Sequence, residues 1–259
     1  KMDPFFRQHN HRDITFSMMY AFSENYVLPM SHDEVVHMKG SVVGKMPGDY
    51  TNQLRCTRGF YAYLLAHPGK KLLFMGAELG QWHEWNDKES LDWYLLENEE
   101  NQKIHRFFKE ANAFYKREPA LWEVDFSWEG FEWLVVDDNQ NNVVVFLRKD
   151  KKGRDLMCAV NFSPNTYEDY RIGVPDHRKY VPVFNTDDKA YGGDGFGDTE
   201  AVPVEDIPSH GKDYSAAIKI PSFGAVFYRG EGTFPKRRKA KALKAPKDPE
   251  AAPEAPAAA

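Results

Sequence analysis

A histidine and two carboxylates stand side by side in this sequence, directly after a short apolar run. His32, Asp33 and Glu34 follow residues 26–30, which are YVLPM. A carboxylate at such a place can stabilise the positive charge of an oxocarbenium-like transition state on a sugar ring, while an imidazole donates hydrogen bonds to ring hydroxyls. The pattern also suits a structural role, in which Asp33 caps the next helix and His32 is a satisfied polar neighbour. Spacing alone leaves both interpretations open.

A second group of candidates lies in the polar, tryptophan-rich loop at residues 78–93. Glu78 follows the apolar residues 71–75 much as Asp33 follows the first run, and it could support a substrate loop or be a buried structural carboxylate. The indoles of Trp82, Trp85 and Trp93 could stack on the apolar face of a sugar ring, although tryptophans in a long loop more often form the packing core of that loop. Both alternatives remain open for each residue.

The elements that position these residues alternate between short strands and longer helices. The apolar runs at 26–30 and 71–75 are closed by proline or glycine, which is typical of buried parallel strands. Apolar residues recur with helical period over 51–67 and 104–115, and Pro68 and Pro119 follow these segments. Strand, helix, strand, helix is the unit of an α/β fold, and in α/β barrels catalysis occurs at the carboxyl ends of the strands.

Beyond about residue 121 the pattern changes to short β-rich runs separated by turns. These runs cover residues 131–136, 143–147, 156–162 and 225–228, and their spacing predicts an antiparallel β-sandwich. From residue 236 onward nearly all residues are Lys, Arg, Ala, Pro or Glu, so the tail at 233–259 is predicted to be disordered.

Composition narrows the function classes. The formal net charge is −5, and residues 236–259 hold seven Lys or Arg against three Asp or Glu, so the rest of the chain is more acidic still and we expect no nucleic-acid partner for the folded part. No run approaches the roughly 18 apolar residues of a membrane span, so no membrane partner is expected. Cys56 and Cys158 lack metal-ligand spacing, and buried free thiols suit a cytoplasmic location.

One long phrase, NYVLPMSHDEVVH at 25–37, closely resembles the fourth conserved region of glycogen (1,4-α-glucan) branching enzymes in the α-amylase superfamily. Further segments resemble that family in the same order, and the resemblance spans residues 3 to 230. They are MPGD at 46–49, PGKKLLFMG at 68–76, EWN at 84–86, SLDW at 90–93 and GFEWLVVDD at 130–138.

The resemblance implies a fold that is α/β plus all-β. Residues 1–120 would be the C-terminal part of a catalytic (β/α)8 TIM barrel, and residues 121–232 would be an all-β C-terminal domain of the antiparallel β-sandwich type. Residues 233–259 lie outside it.

The resemblance also implies a chemistry, a retaining double displacement on an α-glucan such as glycogen or amylose that creates α-1,6 branches. Asp33 matches the transition-state stabiliser of the family, and His32 matches its sugar-binding partner. Glu34, Glu78 and Trp82 are further candidates for substrate binding. No metal and no cofactor is expected.

The nucleophile and the general acid belong to family regions that precede this sequence. We therefore expect the chain to require a missing N-terminal part of the same enzyme, and to be inactive alone. Two alternatives remain: a non-catalytic glucan-binding module, and a related trehalose-forming glucan hydrolase that shares the His-Asp pair.

Overall fold

The computed structural model describes residues 2–232, and the predicted disordered tail at 233–259 lies outside the described residues. The first half contains four helices and two strands, with short 3-10 turns in several of the connections between them. In chain order they are α1 (Pro4–Arg7), α2 (Arg12–Thr15), β1 (Val27–Met30), α3 (Tyr50–Ala66), β2 (Lys70–Leu73) and α4 (Glu99–Arg117). None of the helices in this part of the chain is long and apolar enough to cross a bilayer.

The two long helices begin and end where capping residues stand in the sequence. The Asp49 side chain accepts a hydrogen bond from the Asn52 backbone N–H at 2.9 Å at the start of α3, and that helix ends before Pro68. Asn98 caps the Glu100 N–H of α4 in the same way, at 2.9 Å. Both predicted helices are confirmed, α3 to within one residue at each end, whereas α4 begins five residues before and ends two residues after the predicted apolar segment.

Strands β1 and β2 pair in parallel, with Val27 opposite Lys70 and Met30 opposite Leu73. Within residues 2–232 they pair only with each other. One side of each strand faces the protein and the other is open, so that Val27 is 49% exposed and Leu72 is 39% exposed. The predicted parallel pairing is present, and the strands are buried on one side only, because no further element of residues 2–232 covers their outer side.

The second half is all β and forms two antiparallel sheets. The larger sheet has the order β3-β4-β5-β9-β7, and β6 pairs with β8 in a second sheet. The strands are β3 (Phe131–Asp138), β4 (Val143–Lys149), β5 (Asp155–Asn161), β6 (Tyr167–Val174), β7 (Lys179–Asn185), β8 (Tyr214–Ile220) and β9 (Ala225–Glu231). The antiparallel β-sandwich is confirmed, while β6, β7 and β8 were not predicted from sequence.

The five-stranded sheet is covered on both faces, and alternate residues of β4 show this. Val143, Val145 and Leu147 pack in one apolar cluster with the β6 and β8 side chains. Val144 and Phe146 pack in the other cluster with side chains of α3 and α4, including Phe107. Because the side chains of a strand alternate between its faces, one face of this sheet lines the sandwich interior and the other face packs against the helices.

Close contacts fix the helices against the all-β region. A Cβ atom added at Gly59 in the middle of α3 would lie 2.2 Å from the Phe223 carbonyl oxygen, so the helix meets the loop before β9 backbone to backbone. Arg58, buried on the same helix, donates from Nε to the Thr186 carbonyl oxygen at 2.9 Å.

A buried arginine joins the two halves at the other end of α3. Arg148 of β4 has no exposed side-chain surface and donates to Asp125 at 2.8 Å. It also donates to three main-chain carbonyl oxygens, those of Ala66 at 2.5 Å, Leu121 at 3.3 Å and Gly130 at 3.3 Å. Burial alone would raise the pKa of Asp125, but the nearby cations, Arg148 first among them, hold that pKa below its usual value.

Candidate functional site

The His32–Asp33–Glu34 segment forms a single 3-10 turn at the carboxyl end of β1. The Ser31 hydroxyl accepts a hydrogen bond from the Asp33 N–H at 3.3 Å and lies 3.3 Å from Asp33 Oδ2. His32 Nε2 lies 3.4 Å from Asp33 Oδ1, and the two side chains are 57% and 70% exposed. The pair therefore stands open to solvent at a strand end, and it is Ser31 that caps the turn.

Two lysines hold the main chain of this turn. Lys39 Nζ donates to the Asp33 carbonyl oxygen at 2.5 Å. Lys45 Nζ donates to the Glu34 carbonyl oxygen and lies 3.4 Å from Glu34 Oε2. Glu34 is thus the ion-pair partner of a half-buried lysine, and its main chain is fixed along with its side chain.

The residues after the turn follow an unusual backbone path. His37 and Met38 have φ of 58° and 65°, in the left-handed region that non-glycine residues rarely adopt. The Glu84 carboxylate accepts the Met38 N–H at 3.0 Å and the Gly40 N–H at 2.9 Å. Those two hydrogen bonds, from Gly40 and then Met38, lower the pKa of Glu84. Glu84 appeared in the sequence only as part of the EWN motif, and nothing in its spacing indicated this contact.

The second candidate group lies on the loop after β2. Glu78 is partly exposed and accepts a hydrogen bond from the Gly76 N–H at 3.0 Å, within its own turn. Trp82 is 46% exposed and meets the Tyr50 ring edge-on, with 5.7 Å between ring centroids. Among the described residues, no hydrogen bond or ring contact connects Glu78 or Trp82 to His32 or Asp33 directly.

Aromatic contacts nevertheless bring the two loops together. Phe74 at the end of β2 lies between Trp85, at 5.0 Å, and His32, at 6.0 Å between ring centroids. The backbone N–H of Trp85 donates to the Val35 carbonyl oxygen at 3.0 Å. The loop at 82–93 therefore supports the turn that carries His32 and Asp33, and Trp85 has the packing role that the sequence left open for the tryptophans of this loop.

A cavity of about 320 Å³ opens behind Glu34, between α3 and the β-sandwich. Its walls combine Glu34, Lys45 and Arg7 with the apolar side chains of Phe60 and Phe223. Among residues 2–232, no three His, Cys, Asp or Glu side chains are grouped so that they could hold a metal ion. The chemistry offered at the strand end is that of one exposed carboxylate beside one imidazole.

Comparison with known proteins gives matches over both halves of the chain. Residues 133–231 match the family model described as the alpha amylase C-terminal all-beta domain. The native form of a debranching enzyme from Nostoc punctiforme is similar in fold, with a TM-score of 0.52 and 15% identity, over 78% of this chain and 35% of that one.

Curated relatives are much more similar in sequence. The chain is 48% identical over 231 residues to the 1,4-alpha-glucan branching enzyme GlgB of Aquifex aeolicus, covering 89% of this chain and 37% of that protein. It is 45% identical over 230 residues to the enzyme of the same name from Halothermothrix orenii, covering 88% of this chain and 36% of that one. The chain thus spans little more than a third of these relatives, and by its sequence it belongs to the 1,4-alpha-glucan branching enzyme family.

Proposed function

We propose that this chain is the part of a 1,4-α-glucan branching enzyme that contributes the transition-state-stabilising aspartate, Asp33. The observation that carries the proposal is the exposed His32–Asp33 pair at the carboxyl end of parallel strand β1, in a chain 48% identical to a branching enzyme. In the cleaved sugar, positive charge develops between the ring oxygen and the anomeric carbon. The Asp33 carboxylate stabilises that charge, and His32 donates a hydrogen bond to a ring hydroxyl.

The complete reaction is a retaining double displacement in which α-1,4-glucan is cleaved and the chain is transferred to a 6-hydroxyl. The nucleophile and the general acid come from an N-terminal part of the same enzyme, which is the partner this chain requires besides the glucan. Glu34, Glu78 and Trp82 contact the substrate around the cleaved bond, and no cofactor takes part. The two buried free cysteines suit a cytoplasmic enzyme.

The fold we propose for the whole enzyme places residues 1–120 in the last part of a (β/α)8 TIM barrel and residues 121–232 in its all-β C-terminal domain. The parallel pairing of β1 and β2, with α3 as the crossover between them, supports the barrel. The open side of the two strands, where Val27 and Leu72 are exposed, is the side that the remaining barrel would cover.

A chimaera tests the proposal, because the isolated chain is expected to form no new α-1,6 linkages on amylose. Residues 1–232 replace the matching part of the Aquifex aeolicus enzyme, and branching is measured by the iodine stain and by debranching analysis. The chimaera should branch amylose, and Asp33→Asn should lower kcat by about 10²–10³-fold. Asp87→Asn, an exposed aspartate of the 82–93 loop, is the matched control. An Asp33→Asn chimaera that branches as fast as this control contradicts the assignment.

A non-catalytic glucan-binding module is the second candidate, favoured by the exposed aromatic side chains of the 82–93 loop and of the 3-10 turn Trp93–Glu97 at its end. Trp82, Trp93 and Tyr94 are 46%, 55% and 59% exposed. Affinity electrophoresis of the chain in gels with and without glycogen measures such binding. Retardation by glycogen that is lost in Trp82→Ala supports the module, whereas unchanged mobility rules against it.

A further inference from the structure

One side chain from another loop, that of Glu84, binds the backbone that follows the Asp33 turn. Residues 37, 38 and 40 all have positive φ, at 58°, 65° and 73°, and only the last is glycine. The Lys39 N–H turns back to the Val36 carbonyl oxygen at 3.2 Å, whereas the N–H groups on either side of it both reach the Glu84 carboxylate. One Glu84 oxygen accepts the Met38 N–H at 3.0 Å and the other accepts the Gly40 N–H at 2.9 Å.

We propose that Glu84 is a positioning residue for the branching reaction, which fixes the backbone of residues 37–40 and thereby the placement of Asp33. The proposal rests on the proposed function, because it assumes that Asp33 is the transition-state stabiliser. Glu84 itself lies in the loop after β2 and is not expected to contact the sugar.

The connection from Glu84 to Asp33 runs through Lys39. Lys39 lies between the two residues whose N–H groups Glu84 binds, and its Nζ donates to the Asp33 carbonyl oxygen at 2.5 Å. When Glu84 fixes the backbone on both sides of Lys39, the Cα atom from which the Lys39 side chain extends is fixed as well. The Asp33 side chain has few contacts of its own, with Ser31 at 3.3 Å and His32 at 3.4 Å, so its position depends on the main chain.

Charge around Glu84 favours the ionised form that makes both hydrogen bonds. The backbone N–H groups of Gly40 and Met38 lower the pKa of Glu84 most, and the nearby His37 and Lys45 lower it further. A neutral amide at this position has one acceptor oxygen and turns its NH₂ group toward a second donor. Glu84→Gln therefore keeps one of the two hydrogen bonds, and Glu84→Ala keeps neither.

Amide hydrogen exchange on the full 259-residue chain tests the contact without any activity measurement. The Met38 and Gly40 amides should be protected in the parent chain. One of the two should exchange about tenfold faster in Glu84→Gln and both should do so in Glu84→Ala, because a lost hydrogen bond of about 1.4 kcal/mol corresponds to a factor of ten. Glu89→Gln, which makes the same charge change in the same loop, is the matched control and should change neither amide. Unprotected amides in the parent chain, or equal exchange in all variants, overturn the proposal.

Kinetics of the chimaera then test the positioning role. Glu84→Gln should lower kcat by about tenfold and leave KM within twofold, since a displaced Asp33 weakens stabilisation of the transition state more than binding of the glucan. Glu89→Gln should match the parent chimaera in both constants. If Glu84→Gln changes exchange but neither kinetic constant while Asp33→Asn is inactive, the positioning role fails and the role of Asp33 stands. If Asp33→Asn is fully active, the proposed function fails, and the positioning role fails with it.

Discussion

Replacing Arg148 by methionine tests how strongly the buried arginine joins the two halves of the chain. Methionine keeps an unbranched apolar stem in the same space, but it removes all four hydrogen bonds of the guanidinium. The Ala66, Leu121 and Gly130 carbonyl oxygens each lose a donor, and the Asp125 carboxylate loses its buried cation.

The magnitude follows from what remains around Asp125. Removing one partner of a buried ion pair costs about 3–5 kcal/mol of unfolding free energy. Asp125 keeps the Gly69 N–H at 3.1 Å and Lys70 Nζ at 3.0 Å, so its charge is still partly compensated. We therefore expect a loss of about 3 kcal/mol, a large share of the roughly 5–15 kcal/mol that stabilises a typical domain.

Urea unfolding of the full chain measures this loss, followed by tryptophan fluorescence and far-ultraviolet circular dichroism. Arg106→Met is the matched control, because Arg106 makes an exposed ion pair with Glu110 on α4 and its loss should cost under about 1 kcal/mol. In Arg148→Met with Asp125→Asn, the combined loss should be about 1–2 kcal/mol smaller than the sum of the two single losses.

The result that refutes this reasoning is a loss for Arg148→Met no larger than that of Arg106→Met. Strict additivity of Arg148→Met and Asp125→Asn would also refute it, since it would mean that the two side chains do not interact. The denaturant dependence of the unfolding free energy should stay the same in all variants, because the surface exposed on unfolding is unchanged.

Three further predictions follow from single positions. Gly59→Ala should lower the thermal midpoint in calorimetry although alanine is the better helix former, because its Cβ would meet the Phe223 carbonyl oxygen at 2.2 Å; a raised midpoint would contradict that contact. Burial lowers the pKa of His67 from 6.5 to about 4, so the unfolded chain takes up the proton at a higher pH than the folded chain does. The free energy of unfolding should therefore fall by up to about 3 kcal/mol as the pH drops from 6.5 to about 4. Urea titrations of His67→Gln should show a flatter pH dependence, and an equal slope would exclude His67 as the cause. Burial raises the pKa of the Cys56 thiol to about 11 and that of Cys158 further, so Ellman's reagent should label neither thiol in the native chain and both in urea; rapid native labelling would contradict their burial.

The sequence was most informative where local patterns decide the structure. Helices α3 and α4 combine a regular apolar face with a capping Asp49 or Asn98 and a following proline, and both were predicted. Strand β7 was missed because Pro182 interrupts it, which an edge strand of the sheet tolerates. Strand β6 was missed because its first three residues are not buried, so that no apolar run marks its start.

The same distinction between local patterns and long-range contacts applies to the candidate site. The position of His32 and Asp33 at a strand end was predictable, since the apolar run before them is local to the sequence. The contacts of Glu84 and Lys39 were not, because each side chain binds main-chain atoms, and any acid or base that reaches those atoms could do so. Such contacts depend on where a distant loop lies, and this is set by the packing of Trp85 on Phe74.

The five-stranded sheet is covered on both faces, and this has a consequence for anyone who would transplant the all-β region into another protein. Its outward side chains Phe146, Phe184 and Phe227 pack in the same apolar cluster as α3 and α4. A graft cut at the start of β3 would present this aromatic surface to water, and surfaces of that kind promote aggregation. A portable version would have to carry both helices with it, or have the three phenylalanines exchanged for polar residues.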